Sequence, residues 1–131
     1  MRSGLLKCAA GAVAAGLLLA SCNNSTAYGG GGGGGCTPTA TQVCMVSSLT
    51  FSPANLTITH GTTVTWMNGD AIAHTATSSS SSAEAFNSGQ LGGGGTFTHT
   101  FNTPGTFHYY CQNHGFDGNP PGGMAGTITV N

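Results

Sequence analysis

Four residues in the second half of the chain bring together donor atoms of mixed softness: His74, the pair Cys111 and His114 separated by Gln112 and Asn113, and Met124. Two imidazoles and a thiolate can make a trigonal plane about a metal ion, with a thioether approaching weakly along the axis. Sulfur donors suit Cu(I), while imidazole accepts both Cu(I) and Cu(II), so the set fits one copper ion that changes oxidation state. A site comfortable with both states rearranges little when an electron arrives or leaves. His74, Cys111, His114 and Met124 are accordingly the expected ligands. The fourth position is the open one, because nine residues, Gly115 to Gly123, separate Met124 from His114, and the amide oxygens of Gln112 and Asn113 are alternative donors.

The cysteines bear on the same question. Two of the five, Cys8 and Cys22, lie in an N-terminal stretch with the marks of an export signal: Arg2 and Lys7, then an apolar run from Ala12 to Ala20 that is short for a membrane span. Leu19-Ala20-Ser21-Cys22 resembles the bacterial lipobox. Residues 1–21 are therefore expected to be removed and Cys22 to carry lipid as the first residue of the mature chain. Each buried acyl methylene contributes about 0.8 kcal/mol, so a multiply acylated cysteine holds a domain at a bilayer without a spanning helix. Residues 22–35, ending in seven consecutive glycines, read as a flexible tether with a root-mean-square reach of roughly 20 Å. In an oxidising extracytoplasmic compartment Cys36 and Cys44 are placed to form a disulfide around the turn at Pro38. Cys111 is left unpaired, and a bound metal explains how an exported thiol survives.

Arg2 and Lys7 are the only cations, so the expected mature domain has neither Lys nor Arg and only Asp70, Glu84 and Asp117 as acids. That balance excludes nucleic acid as a partner, since phosphate binding needs clustered cations. Long-range electrostatic steering of any partner is weak for the same reason.

Residues 36–131 must position the four donors, and their pattern is one of short Val-, Thr-, Ile- and aromatic-rich segments broken by Gly, Asn, Pro and Ser, with no helical period. Strands are expected at Cys44–Thr50, Asn55–Thr59, Thr62–Asn68, His74–Ser79, Thr96–Phe101, Thr106–Cys111 and Gly126–Val130. Such a series suggests an all-β, two-sheet Greek-key sandwich. Alternation puts Val64 and Trp66 on one face, with Trp66 at the core, and sets Phe107, Tyr109 and Cys111 on the buried side of another strand that ends at Cys111. His60 is expected at the surface, His99 as a partly buried structural residue beside Phe97 and Phe101, and His108 in solvent. Met45 and Met67 read as packing or surface residues, Thr75 as a polar support for the metal loop, and the tracts Ser78–Ser82 and Gly92–Gly95 as spacers.

The whole segment from Leu49 to Val130 resembles the plastocyanin, azurin and amicyanin group of cupredoxins. Phe51-Ser52-Pro53 with Leu56-Thr57-Ile58 is similar to the opening strands, and Gly61 through Trp66-Met67-Asn68 to the third. Asp70 to His74-Thr75 looks like the loop bearing the first histidine ligand. Phe86-Asn87-Ser88-Gly89, Phe97 to Phe101, Pro104 to Phe107 and Tyr109-Tyr110-Cys111 follow the family's run into its copper cysteine. Met124 to Val130 resembles the axial methionine and closing strand, although the connection from His114 is longer than close relatives usually have.

The resemblance implies a one-electron carrier that exchanges electrons transiently with redox-protein donors and acceptors, and here does so from a lipid anchor at the outer face of a bacterial membrane. An enzyme is not expected: the four donors fill the coordination shell, and the chain has no His-x-His pair for a multicopper cluster. A copper-delivery module, against which the buried Cys111 argues, and a metal-free surface sandwich, which a mature domain that stays colourless with Cu(II) would favour, are the alternatives. For the anchor, Cys22→Ala is expected to leave an unprocessed, unacylated precursor. Metabolic labelling with a tagged fatty acid checks this, and label entering the variant, or never entering the wild type, would refute the lipoprotein reading.

Overall fold

A computed structural model describes residues 35–131; the expected signal segment, Cys22 and the tether as far as Gly34 lie outside the described residues. The strands are β1 (Gln42–Val46), β2 (Thr50–Ser52), β3 (Asn55–Ile58), β4 (Thr62–Asn68), β5 (Thr77–Ser78), β6 (Thr96–Phe101), β7 (Gly105–Phe116) and β8 (Gly122–Val130). They form two four-stranded mixed sheets, ordered β2-β1-β4-β6 and β3-β8-β7-β5. The chain passes repeatedly between the sheets, and β1 with β4 and β3 with β8 pair in parallel while the other neighbours are antiparallel. This is the expected all-β sandwich.

Period-two alternation appears directly as burial. In β4 the side chains of Val64, Trp66 and Asn68 are buried while Thr63 is exposed, and in β7 Phe107, Tyr109 and Cys111 are completely buried. Trp66 is the hub, with ring centroids of Phe86, Phe97 and Tyr109 at 5.4, 5.7 and 5.4 Å. Each such aromatic removes on the order of 150–250 Å² from water, which makes this cluster the main apolar contribution to stability. Met45 is fully buried in the same core and Met67 half-buried. Cys36 and Cys44 are disulfide-bonded, and closing so short a loop stabilises by roughly 2–3 kcal/mol by restricting the unfolded chain.

Strand limits differ from the sequence expectation where local chemistry diverts the backbone. The first expected strand is two, because Leu49 takes a left-handed conformation (φ 57°) in the turn joining β1 to β2. The expected strand over His74–Ser79 contracts to Thr77–Ser78, and β7 runs on past Cys111 to Phe116. Both changes are made by the site described below.

Tyr109 carries a packing constraint of its own. Burial pushes its phenol well above the ordinary range, opposed by the neighbouring Trp66 indole, and neither its hydroxyl nor that indole nitrogen has a hydrogen-bond partner of good geometry among the described residues. The hydroxyl end of the ring abuts Gly126, where an added Cβ would collide with the Tyr109 Cζ and hydroxyl oxygen. Gly126→Ala is therefore expected to destabilise by about 1–3 kcal/mol through overpacking. Tyr109→Phe, which removes a buried hydroxyl without a partner, should be neutral or stabilising, because an unsatisfied polar group costs about 1–3 kcal/mol. Urea midpoints of the two variants against wild type check both signs.

Candidate metal centre

The ladder between β7 and β8 is interrupted once. Tyr110 pairs with Ala125, and the next pairing is Gly115 with Gly123, followed by Phe116 with Gly122. Between them β7 spends Cys111, Gln112, Asn113 and His114, while β8 spends only Met124. An excess of residues on one strand bends it and re-aims its side chains, as β-bulges next to functional sites do. The Cys111 side chain continues the buried face of β7, and His114 is turned back so that its Nδ1 lies 3.6 Å from Cys111 Sγ. Cys111 thus sits at a break inside a long strand, not at a strand end. Both ends of the long connection after His114 are ladder as well, which leaves residues 117–121 as the turn of a hairpin arm. Glycine is required where the arm begins: Gly123 has φ 70°, and a Cβ on it would meet the His114 carbonyl oxygen at 2.7 Å.

The first histidine arrives from the other direction. From Asn68 to His74 the backbone is spent on a loop braced by buried Asn68, whose Nδ2 donates to the carbonyls of Ile72 and Leu91 and whose Oδ1 accepts from the Asp70 N–H, each at 2.8 Å. His74 exchanges backbone hydrogen bonds with Leu91, so these residues cannot extend β5. The Thr75 N–H donates to Cys111 Sγ at 3.3 Å, and Thr75 Oγ1 accepts the Gln112 N–H at 2.9 Å. Asn113 Nδ2 donates to the Ala73 carbonyl and its Oδ1 accepts from Gln90, so this amide ties the two ligand loops together.

Three donor atoms converge as a result. His74 Nδ1 and His114 Nδ1 are 3.1 Å apart, and Cys111 Sγ lies 3.7 and 3.6 Å from them. The point equidistant from all three is about 2.0 Å from each, within the roughly 2.0–2.3 Å over which imidazole nitrogen and thiolate sulfur bind a metal. His74 and Cys111 are fully buried, His114 partly so. Met124 is also buried, directly across from the Cys111–His114 segment. These residues fit a small ion that accepts mixed nitrogen and sulfur donors.

Sequence reasoning missed one residue against the site. Asp70 Oδ2 accepts a hydrogen bond from His74 Nε2 at 3.1 Å, and that N–H holds the Asp70 carboxyl below the ordinary carboxylate range. A carboxylate four positions before a ligand histidine was the available signal. The Ser78–Ser82 tract is more than a spacer. Ser82 Oγ donates to the His108 carbonyl, and the Ser80 N–H to Asp117 at the tip of the arm. The other histidines lie outside the cluster: His60 is exposed, His99 bonds Glu84 Oε2 at 3.0 Å, and His108, half-buried, bonds Thr127.

The profile of copper-binding proteins of the plastocyanin/azurin family matches residues 39–131. The chain belongs to that family. It is similar to the plastocyanin of Scenedesmus fuscus, 34% identical over 91 residues that make up 63% of this chain and 88% of that one. Among solved structures it resembles a purple cupredoxin from Nitrosopumilus maritimus, with 32% identity and a TM-score of 0.55, covering 69% of this chain and 98% of that one. It also resembles a copper-containing nitrite reductase from Thermus scotoductus, with 31% identity and a TM-score of 0.59 over 73% of this chain; the chain spans only 23% of that enzyme. This cupredoxin therefore binds one copper ion, with His74, Cys111 and His114 as the donors that converge on it.

Thr75 links both sides of the copper site through one hydroxyl and one N–H. Thr75→Val keeps the volume but leaves the Gln112 N–H without its acceptor. A loss of about 1–3 kcal/mol is expected, read as a lower urea midpoint of the metal-free protein, with Thr75→Ser restoring most of it.

Proposed function

We propose that this cupredoxin is a one-electron carrier with a single type 1 copper centre, in which Met124 is the axial ligand, and that it works at the outer face of a bacterial membrane. The observation that carries the reading is the buried, three-donor triangle, already at bonding size and supported from two loops. Copper bound there supplies a couple that gains and loses one electron. The chain's own part is to keep the donors where they are through that change: Thr75 holds the cysteine sulfur, Asn113 and Asn68 hold the loops, and the buried core packs behind Cys111.

The register of β8 supports Met124 as the axial ligand. The extra residues after His114 fold into the hairpin arm and do not push Met124 away, since the ladder closes on both sides of it. Partly buried His114 is the natural exit for the electron, and Phe116 (66% exposed), Ile72 (47% exposed) and exposed Pro120 give nearby loops an uncharged surface for brief apolar docking. We read the protein as a carrier and not an enzyme, because four donors, His74, Cys111, His114 and Met124, would fill the coordination shell that copper catalysis needs open. The extracytoplasmic setting is supported by the Cys36–Cys44 disulfide, and lipidation at Cys22 completes the proposal.

An intense visible charge-transfer band and a narrow copper hyperfine splitting are expected from the copper-loaded protein, and Cys111→Ser should abolish both while the sandwich stays folded. An unchanged spectrum would defeat the assignment. Met124→Leu removes a weak donor that Cu(II) needs more than Cu(I), so the reduction potential should rise. Met124→Gln supplies a harder oxygen and should lower it, each tenfold change in relative stability corresponding to about 59 mV for one electron. If neither variant moves the potential, Met124 is packing only.

A further inference from the structure

We propose that Asp70 sets the reduction potential of the centre, its carboxylate acting through the His74 imidazole to favour Cu(II) over Cu(I). The inference rests on the copper-carrier reading and deepens it. Its basis is a direct contact: Asp70 Oδ2 is 3.1 Å from His74 Nε2, on the opposite side of the ring from the nitrogen that faces Cys111 and His114. With Nε2–H donated to the carboxylate, Nδ1 is left as the lone-pair nitrogen that a metal requires. A negative partner on the far nitrogen makes the ring a stronger donor.

Two further observations keep that charge effective. The Asp70 side chain is only 11% exposed and its loop is pinned by buried Asn68, so the contact is not a mobile surface pair. There is also no Lys or Arg among residues 35–131 to neutralise it. The remaining acids are committed elsewhere, Glu84 to His99 and Asp117 to the N–H groups of Ser80 and Gly118. Asp70 is therefore the one carboxylate in contact with a copper ligand among the described residues. The interaction of an anion with the site strengthens with the charge of the ion, and in a poorly screened setting the difference between a divalent and a monovalent ion is not cancelled by solvent.

Asp70→Asn keeps the shape but removes the charge, and leaves one oxygen where Asp70 uses two, Oδ1 for the Ala71 N–H and Oδ2 for the His74 N–H. It is expected to weaken Cu(II) binding by roughly 10- to 100-fold and Cu(I) binding by at least tenfold less, which raises the reduction potential by about 59 mV or more. Asp117→Asn removes an equal charge that touches no ligand and serves as the control. A shift for Asp70→Asn no larger than that of Asp117→Asn overturns the proposal. A second measurement is independent of copper loading: nitrogen-15 chemical shifts of His74 in the metal-free wild-type protein should show the proton on Nε2. A proton on Nδ1 would mean that the hydrogen bond is not made, and the proposal falls. A wild-type protein that binds no copper removes the carrier reading and this inference together, whereas a blue, redox-active wild type whose potential ignores Asp70 removes only the inference.

Discussion

Two imidazole nitrogens 3.1 Å apart, with a thiol sulfur 3.6 and 3.7 Å from them, are drawn together in the interior of the fold. Each group has given up hydration to be there. The protein has to impose that convergence from outside. It does so with backbone groups and short polar side chains: the Thr75 N–H on the sulfur, the Thr75 hydroxyl on Gln112, Asn113 on the Ala73 carbonyl, and Asp70 behind His74. The neutral contacts among these are weak alone. Neutral hydrogen bonds contribute about 0.5–1.5 kcal/mol each, and their value here lies in fixing direction.

The sandwich supplies the rigidity those contacts need. Cys111 is on the same face of β7 as Tyr109 and Phe107, so its Cα position is tied to the aromatic cluster around Trp66. His114 and Met124 are tied to each other by the glycine pairing just beyond them, where Gly115 and Gly123 allow β7 and β8 to close again after the bulge. A β-carbon on either would press on backbone within 2.8 Å. The break in the ladder and its immediate repair are what let Cys111 and His114 of one strand face a common point, with Met124 of the next strand opposite them in register.

How much of this was legible in the sequence follows from range. Donor types and their order could be read because ligand softness belongs to the residues themselves, and the buried faces of β4 and β7 because alternation is local. The Cys36–Cys44 link needed only cysteine arithmetic. What could not be read depends on who meets whom across the fold. Leu49 in a left-handed turn splits the first expected strand, and nothing in Ser47-Ser48-Leu49-Thr50 marks that choice. The loss of the strand at His74 follows from Asn68 and Leu91 capturing its backbone partners, one of them 17 residues away in sequence. Likewise the length from Gly115 to Gly123 reads as an open loop until Gly122 and Gly123 are seen pairing back onto β7, and a run of serines reads as filler until Asp117 is found against Ser80.

Charge gives the last step. Each of the three acids among residues 35–131 is consumed locally, by an imidazole or by backbone N–H groups, and no cation is present to create a field of opposite sign. The surface beside His114 is consequently one that a partner finds by contact and not by attraction at a distance. Without steering, association of two free proteins is limited to roughly 10⁵–10⁶ M⁻¹s⁻¹, and a carrier that must meet two partners in turn needs another source of encounter. Confinement by the proposed anchor and its glycine tether would provide it, because a flexible linker raises effective concentration to the order of millimolar without any new contact. A neutral docking face and the proposed lipid anchor would then be two parts of one solution, in which proximity replaces electrostatics and one of the three acids, Asp70, serves the copper site.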